Sequence, residues 1–317
     1  MEPLESLAGL RLNRDVVLTI GVFDGVHLGH QHLIGGVVQR ARAIGGLGVV
    51  LTFHPHPQLV LRPALQPAYL TTLEERLALI AGVGIDLTVT LRFTVETAQV
   101  TAREFVTALC RAFRLVELRV GPDFALGHKR QGTIPVLRGL GQELGFSVGV
   151  AEPWQADGVV ISSTRIRELI KQGDVVQASR LLGRLYEVAG PVVLGAQRGR
   201  TLGFPTANLD VDPAILLPAD GVYAVYAEAN GRTYPAVSNI GRRPSFDNAP
   251  RTFEVHFLDF EGDLYRRPVT IRFAQRLRSE VRFPNLGALA AQIRADAAQA
   301  RAILAPAAVP APRGGGA

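Results

Sequence analysis

The sequence has a single cysteine and no long hydrophobic run. Cys110 stands alone among 317 residues, which excludes an internal disulfide and any zinc or iron–sulfur site built from several cysteines. No apolar stretch approaches the roughly 20 residues that a membrane-spanning helix needs. The acidic start at Glu2 and Glu5 is unlike the basic start of a signal peptide. We therefore expect a soluble, cytoplasmic protein in a reducing compartment, with no membrane partner.

Lysine is also scarce. Only Lys129 and Lys171 occur among the 34 basic residues, and neither stands in the Gly-Lys-Ser or Gly-Lys-Thr sequence that a P-loop requires. Any ATP chemistry of this chain therefore proceeds without a Walker A loop. The other basic residues are arginines, and the formal net charge is +6. This excess suits anionic ligands such as nucleotides, while a genome-wide preference for arginine explains it equally well.

The chain is long enough for two domains, and it is 47% hydrophobic. Up to about Leu185, apolar runs alternate with helical patterns, which predicts an α/β domain with a Rossmann-like parallel sheet covered on both faces. The predicted strands are Val16–Gly21, Gly48–Phe53, Leu87–Leu91, Val116–Gly121 and Phe146–Val150, and the predicted helices are His30–Ala43, Leu73–Ala81, Ala102–Phe113 and Thr133–Leu144.

From about Tyr186 the pattern changes to short apolar runs separated by Gly, Pro, Asn and Asp, which predicts a small antiparallel barrel or sandwich. These runs are Glu187–Leu194, Gly221–Ala229, Thr233–Val237, Thr252–Phe257 and Val269–Phe273, and a helix is predicted over Leu286–Leu304. We expect domain limits of 1–185 and 186–305, followed by a disordered tail over 306–317.

A glycine-lined turn, Gly21–His30, joins the first predicted strand to the first predicted helix. Backbone N–H groups and the helix dipole favour a phosphate at such a helix start. Protonated imidazole of His27 and His30 would neutralise charge growing on an α-phosphate. A metal site completed by His54 and His56 is the alternative, although no carboxylate cluster or cysteine supports it. The turn therefore predicts chemistry on a nucleotide phosphate.

Three other polar segments are expected at the same edge of the sheet, because ligands bind beyond the carboxyl ends of parallel strands. Thr52–Pro57 follows the second predicted strand, Gly121–Arg130 follows the fourth, and Ile161–Arg167 begins a helix. The hydroxyls of Ser163 and Thr164, with Arg167 one turn further, suit the phosphates of ATP. An ordinary helix N-cap explains the hydroxyls as well.

The segment Gly199–Leu209 carries oxygen ligands in the second half. The Thr206 hydroxyl and the Asn208 carbonyl suit Mg²⁺, which binds through few protein oxygens plus substrate phosphates. Local rules alone interpret Pro, Thr and Asn here as a structural turn. Both interpretations remain open at this stage.

Glu254 and His256 alternate with apolar residues, so they face one side of a predicted strand. Glu254 is either an ordinary surface carboxylate or the general base for a hydroxyl that attacks a phosphate. The sequence alone does not separate the two.

Taken together, the motifs resemble a known family. The run GVFDGVHLGH at 21–30, with SSTRIR at 162–167, is similar to the nucleotidylyltransferase superfamily. The segments HPHP at 54–57 and GPDF at 121–124 resemble the adenylyltransferase half of the bifunctional bacterial riboflavin kinase/FAD synthetases. Four later segments resemble the kinase half: GFPTAN at 203–208, GVYAV at 221–225, SNIGRRP at 238–244 and EVHFLDF at 254–260. The family fold then implies a six-stranded antiparallel barrel for the second domain.

The resemblance implies two ATP-dependent transfers, riboflavin to FMN and FMN to FAD. It implies catalytic roles for Glu254, His27 and His30, and Mg²⁺ on Thr206 and Asn208. The implied ligand-binding residues are Gly21, Phe23, Asp24, His27, His30, Asp123, Ser163, Thr164 and Arg167 in the first half, and Gly199, Arg200, Pro205, Asn239 and Arg242 in the second. Leu126, Ser245 and Arg266 depart from the family pattern without removing a catalytic group.

Two other classes remain open. One is an enzyme with only one of the two activities, for example a nucleotidylyltransferase whose barrel merely binds a ligand. The other is a nucleic-acid-binding protein, which a pI near 10 and a small barrel would suit. The barrel half lacks closely spaced aromatic pairs alternating with basic residues, so we expect small-molecule partners (riboflavin, FMN and ATP) and no nucleic acid. The sequence gives no oligomeric state.

Overall fold

The structure is a computed structural model that describes residues 4, 7, 9–156, 158–195, 203–242 and 251–305. The chain divides into two compact units, one up to Ser163 and one from Thr164. The predicted domain limits at 185 and 186 remain a prediction, and the predicted tail at 306–317 lies outside the described residues.

The first unit is built on a parallel sheet, as predicted. Its sheet strands are β1 (Leu12–Gly21), β2 (Leu47–His54), β3 (Leu87–Arg92), β4 (Phe113–Val120) and β7 (Ser147–Val150), in the order β3-β2-β1-β4-β7. Its helices are α1 (Leu28–Ala43), α2 (Pro57–Leu61), α3 (Leu73–Ala81), α4 (Ala102–Ala112) and α5 (Ile134–Leu144). The sheet order makes β1 central, and consecutive strands on either side of it are joined by helices.

Alternation along β1 explains why helices cover both faces of the sheet. Leu18 packs in one cluster with Phe105 and Leu109 of α4, whereas its neighbour Val17 packs with Val37 of α1. Successive side chains of a strand point to opposite faces, so the central strand is buried on both faces of the sheet. Such strands are continuous apolar runs, which is the pattern that the sequence showed.

Short elements escaped the sequence prediction. They are the five-residue helix α2 and two hairpins, one of β5 (Ala125–Leu126) with β6 (Gly132–Thr133) and one of β8 (Gln155–Ala156) with β9 (Val159–Val160). Two-residue strands are too short to show a period. Thr101 and Glu104 form a capping box at the start of α4, since each side chain bonds the backbone N–H of the other residue.

The second unit carries a closed antiparallel barrel, which confirms the predicted architecture. Its strands are β10 (Tyr186–Val193), β11 (Ala207–Leu209), β12 (Gly221–Ala229), β13 (Arg232–Arg242), β14 (Arg251–Phe257) and β15 (Pro268–Arg278), in the order β10-β11-β14-β13-β12-β15. Helices α6 (Ser163–Gln172) and α7 (Val175–Leu182) precede the barrel, and α8 (Leu286–Ile303) follows it. No helix within the described residues is long and apolar enough to cross a membrane.

Candidate active sites

The turn after β1 adopts a backbone that few residues tolerate. Phe23, Gly25 and Val26 have φ values of 54°, 80° and 38°, in the left-handed region that non-glycine residues rarely enter. A Cβ on Gly21 would lie 2.9 Å from the ring of Phe23. The chain therefore reverses tightly at the end of the central strand and delivers α1 with its N-terminus at the carboxyl edge of the sheet.

His27 and His30 meet at that N-terminus. Nδ1 of His27 accepts the backbone N–H of His30 at 3.2 Å, so His27 is the N-cap of α1. The two imidazole rings stack with centroids 3.5 Å apart, and Phe23 packs edge-on against His30 at 5.2 Å. Because Nδ1 of His27 is an acceptor, its ring proton is on Nε2. His27 can therefore present Nε2–H as a donor, and the protonated imidazole expected at the reacting phosphate stays a prediction.

Asp24 holds the turn together. Its carboxylate is buried and accepts the backbone N–H groups of Leu70 and Thr71 at 3.1 and 3.3 Å. The buried guanidinium of Arg76 lies 3.8 Å from the same carboxylate, and it also donates to the carbonyl oxygen of Val22 at 3.2 Å. The carboxylate that the resemblance assigned to ligand binding is thus engaged with protein groups.

Ser163 reaches the same turn. Its hydroxyl donates to the carbonyl oxygen of Asp24 at 2.9 Å. Ser163 is the first residue of α6, and Thr164 and Arg167 follow within the first two turns of that helix. The predicted SST segment therefore begins a helix, with one hydroxyl fixed to the histidine turn.

The other histidines do not form a metal centre. His56 caps α2 through Nδ1, and its backbone N–H donates to the Tyr69 hydroxyl at 2.7 Å. Burial, assisted by the nearby Arg76 guanidinium, lowers the pKa of His54. Among the described residues, no group of three or more His, Cys, Asp or Glu side chains is placed to hold a metal ion. The alternative of a histidine metal site gains no support.

Asp123 lies in an exposed loop of the first unit. Its carbonyl oxygen accepts from Nη2 of Arg130 at 2.8 Å, and Lys129 and Arg130 both have positive φ. Phe124, next to it, packs against the main core of the unit. The loop is therefore fixed at Phe124 and leaves the Asp123 side chain exposed at the strand end.

The second site is a row of polar side chains on the barrel. Asn208 of β11 pairs directly with Glu254 of β14, and Glu254 pairs in turn with Asn239 of β13. Directly opposed residues of antiparallel strands project to the same face. The three side chains therefore form one row across three strands, although they are far apart in sequence.

Residues before β11 complete this row. The Thr206 hydroxyl donates to Oε2 of Glu254 at 3.5 Å. His256, two residues after Glu254, donates from Nδ1 to the carbonyl oxygen of Pro205 at 2.8 Å and meets the ring of Phe204 edge-on at 5.6 Å. His256 thereby fixes the Pro205–Thr206 backbone beside the carboxylate.

Two cavities adjoin the row. The first, which we call the helix cavity, measures about 790 Å³ and lies between the outer face of the barrel and α8. Its lining is Phe204, Thr206, Val222, Val237, Asn239, Glu254, His256, Arg278, Glu280, Val281, Arg282, Phe283, Asn285, Leu286, Leu289, Ile293 and Asp296. This combination of apolar walls and a few convergent polar groups is typical of a ligand site.

The second, which we call the loop cavity, measures about 640 Å³. Its lining is Val192, Pro205, Thr206, Ala207, Phe257, Phe260, Glu261, Gly262, Asp263, Leu264 and Tyr265. Thr206 lines both cavities. The two cavities thus share Thr206, whose hydroxyl bonds the Glu254 carboxylate of the helix cavity.

Several predicted residues lie outside this description. Gly199, Arg200 and Ser245 are not among the described residues. Arg242 is the last residue of β13, and only its backbone is described. Sequence reasoning in turn missed the cavity wall on α8. The four-residue spacing of Leu289 and Ile293 was a signal for it, because such residues share one face of a helix.

Comparison with known proteins adds an independent finding. The FAD synthetase family model matches residues 10–165, and the riboflavin kinase family model matches residues 182–304. Bifunctional riboflavin kinase/FMN adenylyltransferases from Pseudomonas fluorescens and Escherichia coli K12 are 40% and 38% identical to this chain. The alignments cover 97% and 90% of this chain, and 99% and 91% of the relatives.

A solved structure is similar as well. A crystal structure described as a macrolide-efflux protein from Streptococcus pneumoniae is 32% identical to this chain, with a TM-score of 0.87. The match covers 94% of this chain and 98% of that one. Both compact units therefore have counterparts in a single known protein.

Proposed function

Because the chain belongs to the bifunctional riboflavin kinase/FMN adenylyltransferase family, we propose that the two sites described above carry its two reactions. The protein phosphorylates riboflavin to FMN and adenylylates FMN to FAD. We assign adenylyl transfer to the histidine turn and phosphorylation to the polar row on the barrel. The observation that carries the assignment is that Thr206, whose hydroxyl bonds the Glu254 carboxylate, lines both the helix cavity and the loop cavity.

In the kinase reaction, Glu254 takes the proton of the ribityl 5′-hydroxyl as general base. The hydroxyl oxygen then bonds to the γ-phosphorus of ATP, the bond from that phosphorus to the β–γ bridging oxygen breaks, and ADP leaves. The apolar helix cavity suits the flavin ring, and the loop cavity suits ATP. The hydroxyl and the γ-phosphate then come together beside Thr206, and an in-line transfer needs the two reacting groups to be held close in this way.

Thr206 and Asn208 fit a magnesium site in kind, because hydroxyl and amide oxygens are hard ligands of the sort that this ion takes. Asn208 and Glu254 are direct strand partners, and Thr206 bonds the same carboxylate. Bound Mg²⁺ would offset the charge of the ATP phosphates. The barrel strands hold these oxygens in fixed positions, so the phosphate binds to a site that is already formed. Pro205 and Asn239 lie next to that site.

In the adenylyl transfer, no protein nucleophile is needed. A phosphate oxygen of FMN bonds to the α-phosphorus of a second ATP, the bond to the α–β bridging oxygen breaks, and pyrophosphate leaves. His27, through Nε2–H, and His30 donate to the charge that develops on the α-phosphate. Ser163, Thr164 and Arg167 hold the ATP phosphates, while Gly21 and Phe23 shape the turn, and the loop at Asp123 lies toward the flavin phosphate.

Incubation of the protein with riboflavin, ATP and Mg²⁺, followed by separation of the flavins, tests the proposal. We expect FMN to appear first and FAD to follow, with release of ADP and pyrophosphate. Finding neither flavin product would overturn the assignment of both sites. Omission of Mg²⁺ tests the metal separately, and FMN formation should then stop. A cytoplasmic location is also part of the proposal, and it rests on the single cysteine.

A further inference from the structure

Helix α8 is attached to the barrel by one half and lines the helix cavity with the other. Its C-terminal half belongs to an apolar cluster in which Ala300 and Leu304 pack against Ala224, Tyr226 and Leu258. The apolar residues of α8 that line the cavity lie in its N-terminal half, at Leu286, Leu289 and Ile293. The apolar attachment therefore does not by itself set the position of the cavity wall.

An ion pair joins helix and barrel at the junction of these halves. Arg278, the last residue of β15, donates from Nη2 to Oδ2 of Asp296 at 2.7 Å and from Nε to Oδ1 at 3.1 Å. Gln292, one turn earlier on α8, donates to the same carboxylate at 2.8 Å. The side chains of Asp296 and Arg278 are only 4% and 21% exposed. Two parallel bonds between a guanidinium and a carboxylate fix angle as well as distance.

We propose that the Arg278–Asp296 pair is a positioning element for riboflavin phosphorylation, because it sets the angle of the cavity-lining half of α8 against the barrel. Both residues line the helix cavity themselves, so a shift of the pair changes the width of the space between Ile293 and the barrel face. The inference rests on the assignment of that cavity to the flavin. Neither residue takes part in proton transfer or binds phosphate. They act by keeping the cavity-lining half of α8 in position.

The chain contains a matched control. Arg301 of α8 forms a second pair with Asp259, in the loop after β14, and its Nη2 donates to Oδ1 at 2.9 Å. This pair also joins α8 to the barrel, but its side chains are 49% and 68% exposed and neither lines the helix cavity. Exposed ion pairs contribute little to the free energy of unfolding. The same substitution, arginine to lysine, can thus be made in a pair beside the cavity and in a pair remote from it.

The test compares Arg278→Lys with Arg301→Lys. Lysine keeps the charge but cannot form the two parallel bonds. We expect Arg278→Lys to raise the KM for riboflavin about tenfold or more, because the wall is no longer held in place. Its kcat at saturating riboflavin, its KM for ATP and its conversion of supplied FMN to FAD should change less than about twofold. Arg301→Lys should leave all four quantities unchanged.

A second variant separates positioning from stability. Arg278→Met combined with Asp296→Leu removes both charges, and such replacements of buried pairs often preserve stability. Its melting temperature should be close to that of the wild type while the KM for riboflavin stays raised. Wild-type KM values in both Arg278→Lys and the double variant would overturn the inference, as would an equal fall in both activities. If the unaltered protein makes no FMN, the proposed function fails instead.

Discussion

Asn208 and Glu254 are direct partners across two antiparallel strands, although 46 residues separate them in sequence. Their side chains share one face, and the Thr206 hydroxyl bonds the same carboxylate. In the proposed function, the barrel thus places the general base Glu254 beside Thr206 and Asn208, the proposed ligands of Mg²⁺. A slip of one residue in either strand would turn the group to the opposite face.

Glu254→Gln should abolish FMN formation while leaving the conversion of supplied FMN to FAD intact. The amide keeps the size of the side chain but cannot take a proton, so we expect the kinase rate to fall by roughly 10² to 10⁴. Each activity is measured by incubating the variant with ATP and either riboflavin or FMN, and then separating the flavins. Loss of both activities on folded protein would contradict the assignment of separate sites.

His30→Ala should give the opposite result, with FMN accumulating and no FAD formed. Removing one donor to a developing anion costs on the order of 10² to 10³ in rate, and the barrel is not involved. His32→Ala is the control, since it lies on the same helix with its ring against Trp154 at 4.6 Å. Equal effects of the two substitutions would show that damage to α1, rather than loss of the donor, is responsible.

The α/β pattern of the first unit was predictable because continuous apolar runs alternate with segments of helical period. The limits of helix α3 in the first unit and of strand β12 in the barrel agree with the prediction residue for residue. The role of Asp24 was not predictable, because its partners Leu70 and Thr71 lie on a segment 46 and 47 residues away. A sequence motif identifies the aspartate, but only the folded structure shows which groups its carboxylate contacts.

The barrel site was predictable in its residues but not in its geometry. Local rules interpreted Thr206 and Asn208 as a turn, whereas Asn208 lies in the three-residue strand β11. A strand of that length has no measurable period. Its existence depends on pairing with β10 and β14, which are distant in sequence. The contribution of α8 to the cavity is likewise a tertiary property.

Asp24→Asn should destabilise the first unit by roughly 3–5 kcal/mol, because it removes the carboxylate charge beside the buried Arg76 guanidinium. Asp15→Asn is the matched control. Asp15 pairs with Arg114 at 2.9 Å, but their side chains are 38% and 66% exposed, and we expect less than about 1 kcal/mol. Urea denaturation of both variants measures the difference. Similar losses would mean that Asp24 acts as a surface group.

The stability contributed by His54 should depend on pH. Burial and Arg76 lower the pKa of His54 in the folded protein. At a pH near or below the ordinary histidine pKa of about 6.5, the unfolded chain therefore binds more protons at this residue than the folded protein does. Stability then falls as the pH decreases through that range. Relative to His54→Gln, the wild type should lose unfolding free energy between about pH 7.5 and pH 5.5. A constant difference between the two proteins would contradict the lowered pKa.

Gly195→Ala should weaken the kinase through Asn208. A Cβ at Gly195 would overlap the Asn208 side chain, so the added methyl group must push the amide out of the row it forms with Glu254. Displaced ligands and their supports typically cost 10- to 100-fold in metal affinity. We therefore expect the Mg²⁺ concentration for half-maximal FMN formation to rise about tenfold, with FAD formation from supplied FMN unchanged.

Val193→Ala is the control for that substitution, because Val193 is the β10 residue that pairs with Asn208 and it is partly exposed. It removes volume beside Asn208 without forcing the amide to move, so its Mg²⁺ requirement should stay within about twofold of the wild type. An unchanged Mg²⁺ requirement in Gly195→Ala would show that Asn208 is not a ligand of the ion. A raised requirement in both variants would mean that the strand pairing of β11, rather than the amide, governs the site.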